Sequence, residues 1–211
     1  MSLTELVLTG ASERAAIRSL LDGMNHAGRV HATRALPRRL QGRLFDLLAG
    51  GDPLRVEDLM PAELPAGSVV RHHGVNSLPL FRIFQKPMYR SEEGVVGGRN
   101  VQPWAWFTGH GYFVVTGYPE GDPEREVLID YTQLPPSRPE GWPPIRSNGR
   151  LFSRFVYHRM TDVMRRASEH VTVGKAIRGG EPFGSYFILV REDPGRALAG
   201  GERRALPPPT P

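Results

Sequence analysis

Trp104 to Tyr118 reads WAWFTGHGYFVVTGY, the longest run of strand chemistry in the chain. Side chains alternate across a strand, so the run splits into two surfaces. Trp104, Trp106, Thr108, His110, Tyr112, Val114, Thr116 and Tyr118 share one face, which is aromatic with hydroxyls and an imidazole. Ala105, Phe107, Gly109, Gly111, Phe113, Val115 and Gly117 share the other, which is small or apolar. The second reads as packing and the first as the wall of a pocket. Glycines at 109 and 111 inside a strand predict a bulge or strong bend.

The flanking sequence completes a hairpin. PEGDPE follows as a turn-rich linker, and EVLIDYT (126–132) is the return strand, with Val127, Ile129 and Tyr131 on one face. Shorter strands are expected at Val69-Val70, 80–85 and Val95-Val96, and a second hairpin at Val171–Ile177 and Tyr186–Arg191. Residues 133–149 hold five prolines and two glycines and exclude a regular element. A loop of this length reads as a cover, with Trp142 laying it onto the body. Residues 151–167 place Leu151, Phe152, Phe155, Val156, Met160, Val163, Met164 and Ala167 on one helical stripe, which predicts an amphipathic helix.

The N-terminal sixty residues carry helical periods. Ser12 caps a helix from Glu13 to about Asn25, with Ala16, Leu20 and Met24 on its stripe. A second starts near Pro37 with Leu40, Leu44 and Leu48, and a third follows Asp52-Pro53 through Leu59. Residues 1–10 read as a lead-in and Arg29–Ala35 as a polar link. The expected organisation is a helical unit over 1–62, an antiparallel sheet domain over 63–192 containing helix 151–167, and a disordered tail over 193–211. The fold class is α+β: an N-terminal helical unit, then a curved, mainly antiparallel β-sheet of six or seven strands, as a half-barrel or small barrel, with one long helix near the C-terminus.

The 211 residues include 27 basic and 22 acidic side chains and no cysteine. Disulfides, thiolate catalysis and Cys-based zinc sites are therefore excluded. All but Lys86 and Lys175 of the basic residues are arginine, a bias that a GC-rich genome also produces. No apolar run is long enough to span a bilayer, and the N-terminus lacks signal-peptide character, so a cytoplasmic location is expected.

Candidate chemistry centres on the long strand. His110, Tyr112 and Asp130 supply a base or acid, a donor and an orienting carboxylate, the set for cofactor-independent isomerisation, cyclisation or hydrolysis. The competing reading has His110 hydrogen-bonded in a bend and Asp130 closing a strand end. Trp104, Trp106, Thr108, Thr116 and Trp142 are the candidate ligand-binding residues. No cofactor motif is present: Walker and GxSxG patterns are absent, as are HExxH and His-x-His. His72-His73 are adjacent and point to opposite strand faces, so no metal site is expected there. His158 and Asp162 would touch on the expected helix. Arg29, Arg34, Arg38, Arg39 and Arg43 form a basic cluster suited to an acidic protein partner. It lacks the interleaved aromatics of single-strand nucleic-acid platforms. The leading expectation is binding of a small hydrophobic or amphipathic molecule in an aromatic-lined pocket. The acid–base enzyme and the arginine-based interaction module are the alternatives.

Overall fold

The computed structural model describes residues 1–10, 13–79, 82–102, 110–117, 126–147 and 157–193. Among the described residues five helices come first: α1 (Leu3–Thr9), α2 (Arg14–Asp22), α3 (His26–Ala35), α4 (Arg38–Leu47) and α5 (Val56–Leu59). Ten strand segments follow: β1 (Val69–Val70), β2 (His72–Asn76), β3 (Ile83–Gln85), β4 (Met88–Arg90), β5 (Val96–Arg99), β6 (Tyr112–Gly117), β7 (Val127–Asp130), β8 (Met160–Arg166), β9 (Val171–Arg178) and β10 (Glu181–Arg191). All ladders are antiparallel.

The register shows how this sheet curls. Val70 pairs with Met88 and His73 with Gln85, so β1–β2 and β3–β4 are the two arms of one bent hairpin in a single register. The β3–β4 arm pairs onward with β5, through Met88–Gly98 and the outlying Gln85–Val101 bridge. The β2 arm pairs on its other side with β10. Between them run β5, β6, β7, β8, β9 and β10 in chain order. With each bent arm counted once, the described residues give eight strands, and their pairings carry the ladder back to its start. An up-and-down barrel of this size has an interior that side chains fill or that holds one small ligand.

Two cores follow from strand alternation. Inward residues, including Val70, Phe84, Met88, Val96, Phe113, Val115, Ile129, Tyr131, Met164, Phe187 and Leu189, make one cluster. Leu54, Leu59, Met60 and Leu64 from around α5 join it and plug one end. Outward Val75, Val171, Val173, Ile188 and Val190 pack under Leu3, Leu6, Ile17, Leu21, Leu40, Leu44 and Phe45 of α1, α2 and α4. The helices therefore cover one flank of the barrel.

Three glycines let the interior accept large rings. Gly74, Gly98 and Gly174 lie directly opposite Phe84, Phe113 and Phe187 in the ladders. Each ring rests on the glycine backbone, and a Cβ there would sit 2.5, 2.5 and 2.2 Å from the ring atoms.

Several expectations need correction. Met160–Arg166 is a strand, so the helix over 151–167 does not extend through its second half; residues 151–156 lie outside the described residues. Met160 and Met164 point into the barrel, while Val163 and Ala167 pack under the helices on the outer face. A strand buried on both faces carries apolar residues at spacings that mimic a helical stripe. Residues 1–10 hold α1, nucleated by a capping box between Ser2 and Glu5. The link at 29–35 belongs to α3, whose buried residues are His26, Arg29 and Thr33 rather than an apolar stripe. The tail from residue 194 onward lies outside the described residues.

Candidate functional site

The plugged end leaves the other end of the barrel open to a cavity of about 240 Å³. Phe84, Phe183, Phe187, Leu78, Met160 and Ala176 supply its apolar wall. Lys86, Asn100, Gln102, Tyr131, Tyr157 and Asp162 supply a polar floor.

Lys86 sits at the bend between β3 and β4, where the arm passes along one edge from pairing with β2 to pairing with β1. Its Nζ lies among four inward rings, 4.8 Å from the Tyr131 centroid, 4.9 Å from Phe187, 5.1 Å from Phe113 and 5.7 Å from Phe84. An aromatic face attracts a cation, but four rings do not replace the hydration of an ammonium. Asp162 of β8 supplies the counter-charge, with its Oδ2 3.1 Å from Nζ, and both side chains are buried. Lys86 also donates to the Tyr131 hydroxyl. Asn100 Nδ2 donates to the same oxygen at 3.0 Å, and Tyr131 hydrogen-bonds Asp162 in turn. The ionised pair is thus internally satisfied, the condition for tolerating charge in a low-dielectric interior.

Burial is the largest influence on every member. It lowers the Lys86 pKa against the opposing pull of Asp162. It raises Asp162 against the pull of Lys86, and with Asp162 beside it, it pushes Tyr131 well above the usual phenol range. His72, whose Nδ1 lies 3.1 Å from the Lys86 carbonyl oxygen, is held down to about 3 by burial and then by Arg191. It is neutral at ordinary pH and adds no charge.

Among the side chains that line the cavity, Asn100 leaves a buried acceptor unmatched. Asn100 Oδ1 is buried and has no hydrogen-bond partner among the described residues. Beside it, Gln102 Nε2 donates to Tyr157 Oη at 3.3 Å, and the Tyr157 ring stacks on Tyr131 with centroids 5.3 Å apart.

The residues singled out from the sequence occupy a different place. Phe113 and Val115, read as packing, face the barrel interior, and Tyr112 faces outward beneath the proline-rich segment. Tyr112 Oη donates to the Pro143 carbonyl at 2.6 Å, and its ring lies 6.3 Å from Trp142. Trp142 also meets Tyr89 edge-on and carries the Arg99 guanidinium over its face at 4.9 Å. His110 lies just before β6, bent away by Gly111 at φ +51°, with Nδ1 3.5 Å from Arg99. Burial, then Arg99 and Arg146, lower its pKa. Asp130 stands opposite Val114, four residues along from His110. Its carboxylate accepts from Thr132 N and Oγ1 and from Gln133 Nε2. The structure therefore brings His110, Tyr112 and Trp142 around Arg99 and leaves Asp130 apart. Thr116 is half-buried towards the far end of β6, and Trp104, Trp106 and Thr108 lie outside the described residues.

Of the basic cluster, Arg29 is buried and pairs with Asp193, and Arg43 donates to the Val7 and Leu8 carbonyls. Those two arginines tie the helices down. His158 and Asp162 do not share a helix, because Asp162 belongs to β8 and turns inward.

The sequence pointed to Asp162 only as a neighbour of His158 and did not point to Lys86, whose one visible signal was rarity, as one of two lysines among 27 basic side chains. Comparisons with protein-family models, with curated proteins and with solved structures find no match to this chain. No helix among the described residues is long and apolar enough to cross a membrane.

Proposed function

We propose that the barrel binds a small amphipathic molecule, apolar end among Phe84, Phe183 and Phe187 and polar end on the Lys86–Tyr131–Asn100 floor. The observation that carries this reading is the pairing of an aromatic-walled cavity with one polar cluster at its base. Ligand sites have this composition, mostly apolar with a few placed polar groups. Typical sites begin at roughly 300 Å³, so a cavity of about 240 Å³ limits the ligand to a small molecule. The Lys86 charge is already matched by Asp162, so a carboxylate head would gain little there. The unmatched Asn100 Oδ1 instead calls for a donor, and the fitting head group is a hydroxyl or amide.

Native mass spectrometry of the freshly purified protein, followed by denaturing extraction, tests the reading. A retained small molecule that disappears in the cavity-filling variant Ala176→Phe supports it. Retention unaffected by that variant places the molecule elsewhere and counts against it.

A second reading uses the same floor for acid–base chemistry. Its specific support is the contact of an ammonium, a phenol and a carboxylate, all with pKa values displaced by burial, at the base of a cavity. Lys86 and Tyr131 would exchange protons with bound substrate, and Asp162 would hold them in place. Loss of turnover in Tyr131→Phe, with ligand binding retained, separates this reading from simple carriage.

A further inference from the structure

On the outer face of the barrel, away from the cavity, three potential metal ligands converge from three elements. His26 is the first residue of α3, His73 is on β2, and Glu192 follows β10. One ligand atom from each lies within 4.8 Å of the other two. The sheet explains two of them. His73 pairs with Val190, so Glu192 is its diagonal neighbour on the same outward face. His73 Nε2 and Glu192 Oε1 are 3.0 Å apart. The helix packing brings the third, with the His26 and His73 ring centroids 5.0 Å apart and edge to face.

A hydrogen-bonded cluster would account for His73 and Glu192 alone. His26, which is 8% exposed, is hydrogen-bonded to the backbone of Arg191 instead. Its Nδ1 is buried and has no hydrogen-bond partner among the described residues. A buried ring nitrogen left unpaired beside a second imidazole and a carboxylate is available to a ligand at that point. The three sit at the base of a surface groove also lined by His31 and Arg34, so an ion has an entry path.

We propose that His26, His73 and Glu192 bind a divalent transition metal ion of the zinc type. Two imidazoles and a carboxylate are a recurrent zinc set, at ligand distances of about 2.0–2.2 Å, with a fourth position left for water or a substrate atom. A site of this kind also clamps α3 to the β2–β10 seam, where the barrel ladder closes.

The test is calorimetric titration of the full chain with Zn²⁺ after chelator treatment, in a non-coordinating buffer. One equivalent is expected to bind saturably. His26→Ala, His73→Ala and Glu192→Gln are each expected to weaken it at least about tenfold. His31→Ala, outside the ligand set, leaves it within about twofold. Far-ultraviolet circular dichroism checks each variant, and Glu192→Gln keeps shape and volume if a histidine variant fails to fold. Co²⁺ gives a second readout, an intense visible band in the wild type that Glu192→Gln weakens. Absence of one-to-one saturation in the wild type would overturn the proposal. So would saturation that folded Glu192→Gln retains at full affinity.

Discussion

Lys86 Nζ and Asp162 Oδ2 meet at 3.1 Å inside the barrel, from strands on opposite sides of the ring. Neither charge would survive there alone. Moving one ion into a dry interior costs several kcal/mol even after relaxation, roughly the whole stability of many domains. The pair persists because Tyr131 and Asn100 complete its hydrogen bonds.

Breaking the pair from one side strands the other. Lys86→Met or Asp162→Leu is expected to cost about 3–5 kcal/mol, while the double variant Lys86→Met/Asp162→Leu costs much less than the sum. Urea unfolding midpoints measure all three. Additive losses would mean that the two groups do not depend on each other.

The head-group assignment rests on Asn100. A medium-chain primary alcohol is expected to bind about tenfold more tightly than its methyl ether, one hydrogen bond being worth about 1–1.5 kcal/mol. Asn100→Leu should erase that preference. Equal affinity of the wild type for both compounds would remove Asn100 Oδ1 from the site.

Ring-on-glycine packing sets a steric prediction. Gly174→Ala drives a methyl group into the Phe187 ring and is expected to destabilise by about 1–3 kcal/mol. Gly117→Ala, where a Cβ meets nothing within 4 Å, is the control and should be near neutral. Thermal unfolding compares them, and equal midpoints would contradict the packing.

His110 gives a pH signature. Burial first, then Arg99, hold its pKa below 6.5. The unfolded chain takes up this proton near pH 6.5 and the folded chain only lower. The stability it contributes is therefore present above pH 6.5 and lost as pH falls through that value towards the folded pKa. NMR titration of the His110 ring should show the low value, and Arg99→Gln should raise it. A ring that titrates at 6.5 in both proteins would refute the assignment.

Strand alternation was legible wherever one face of a strand had a distinct character. Val127, Ile129 and Tyr131 face inward together, as their spacing implied. It failed at β8, where Met160 and Met164 inside and Val163 and Ala167 outside are all apolar. It failed differently at α3, whose buried face is polar and paired through Arg29 to Asp193, a partner 164 residues away. The candidate site was hidden for the same reason. Lys86 and Asp162 are 76 residues apart, and only the barrel ladder brings them together. The aromatic face of β6 was visible in the sequence, but which face turns inward depended on Gly111 and on closure of the ring.

Methionine-methyl NMR during titration with 1-octanol tests the cavity most directly. The Met160 side chain lines the cavity, whereas Met88 lies deeper in the plugged half and Met1 is exposed. A saturable shift of the Met160 methyl, with Met1 unmoved and the Met160 response lost in Ala176→Phe, is the expected result. A Met160 methyl that stays fixed up to the solubility limit of the alcohol, or that shifts no more than Met1, would contradict ligand binding inside the barrel.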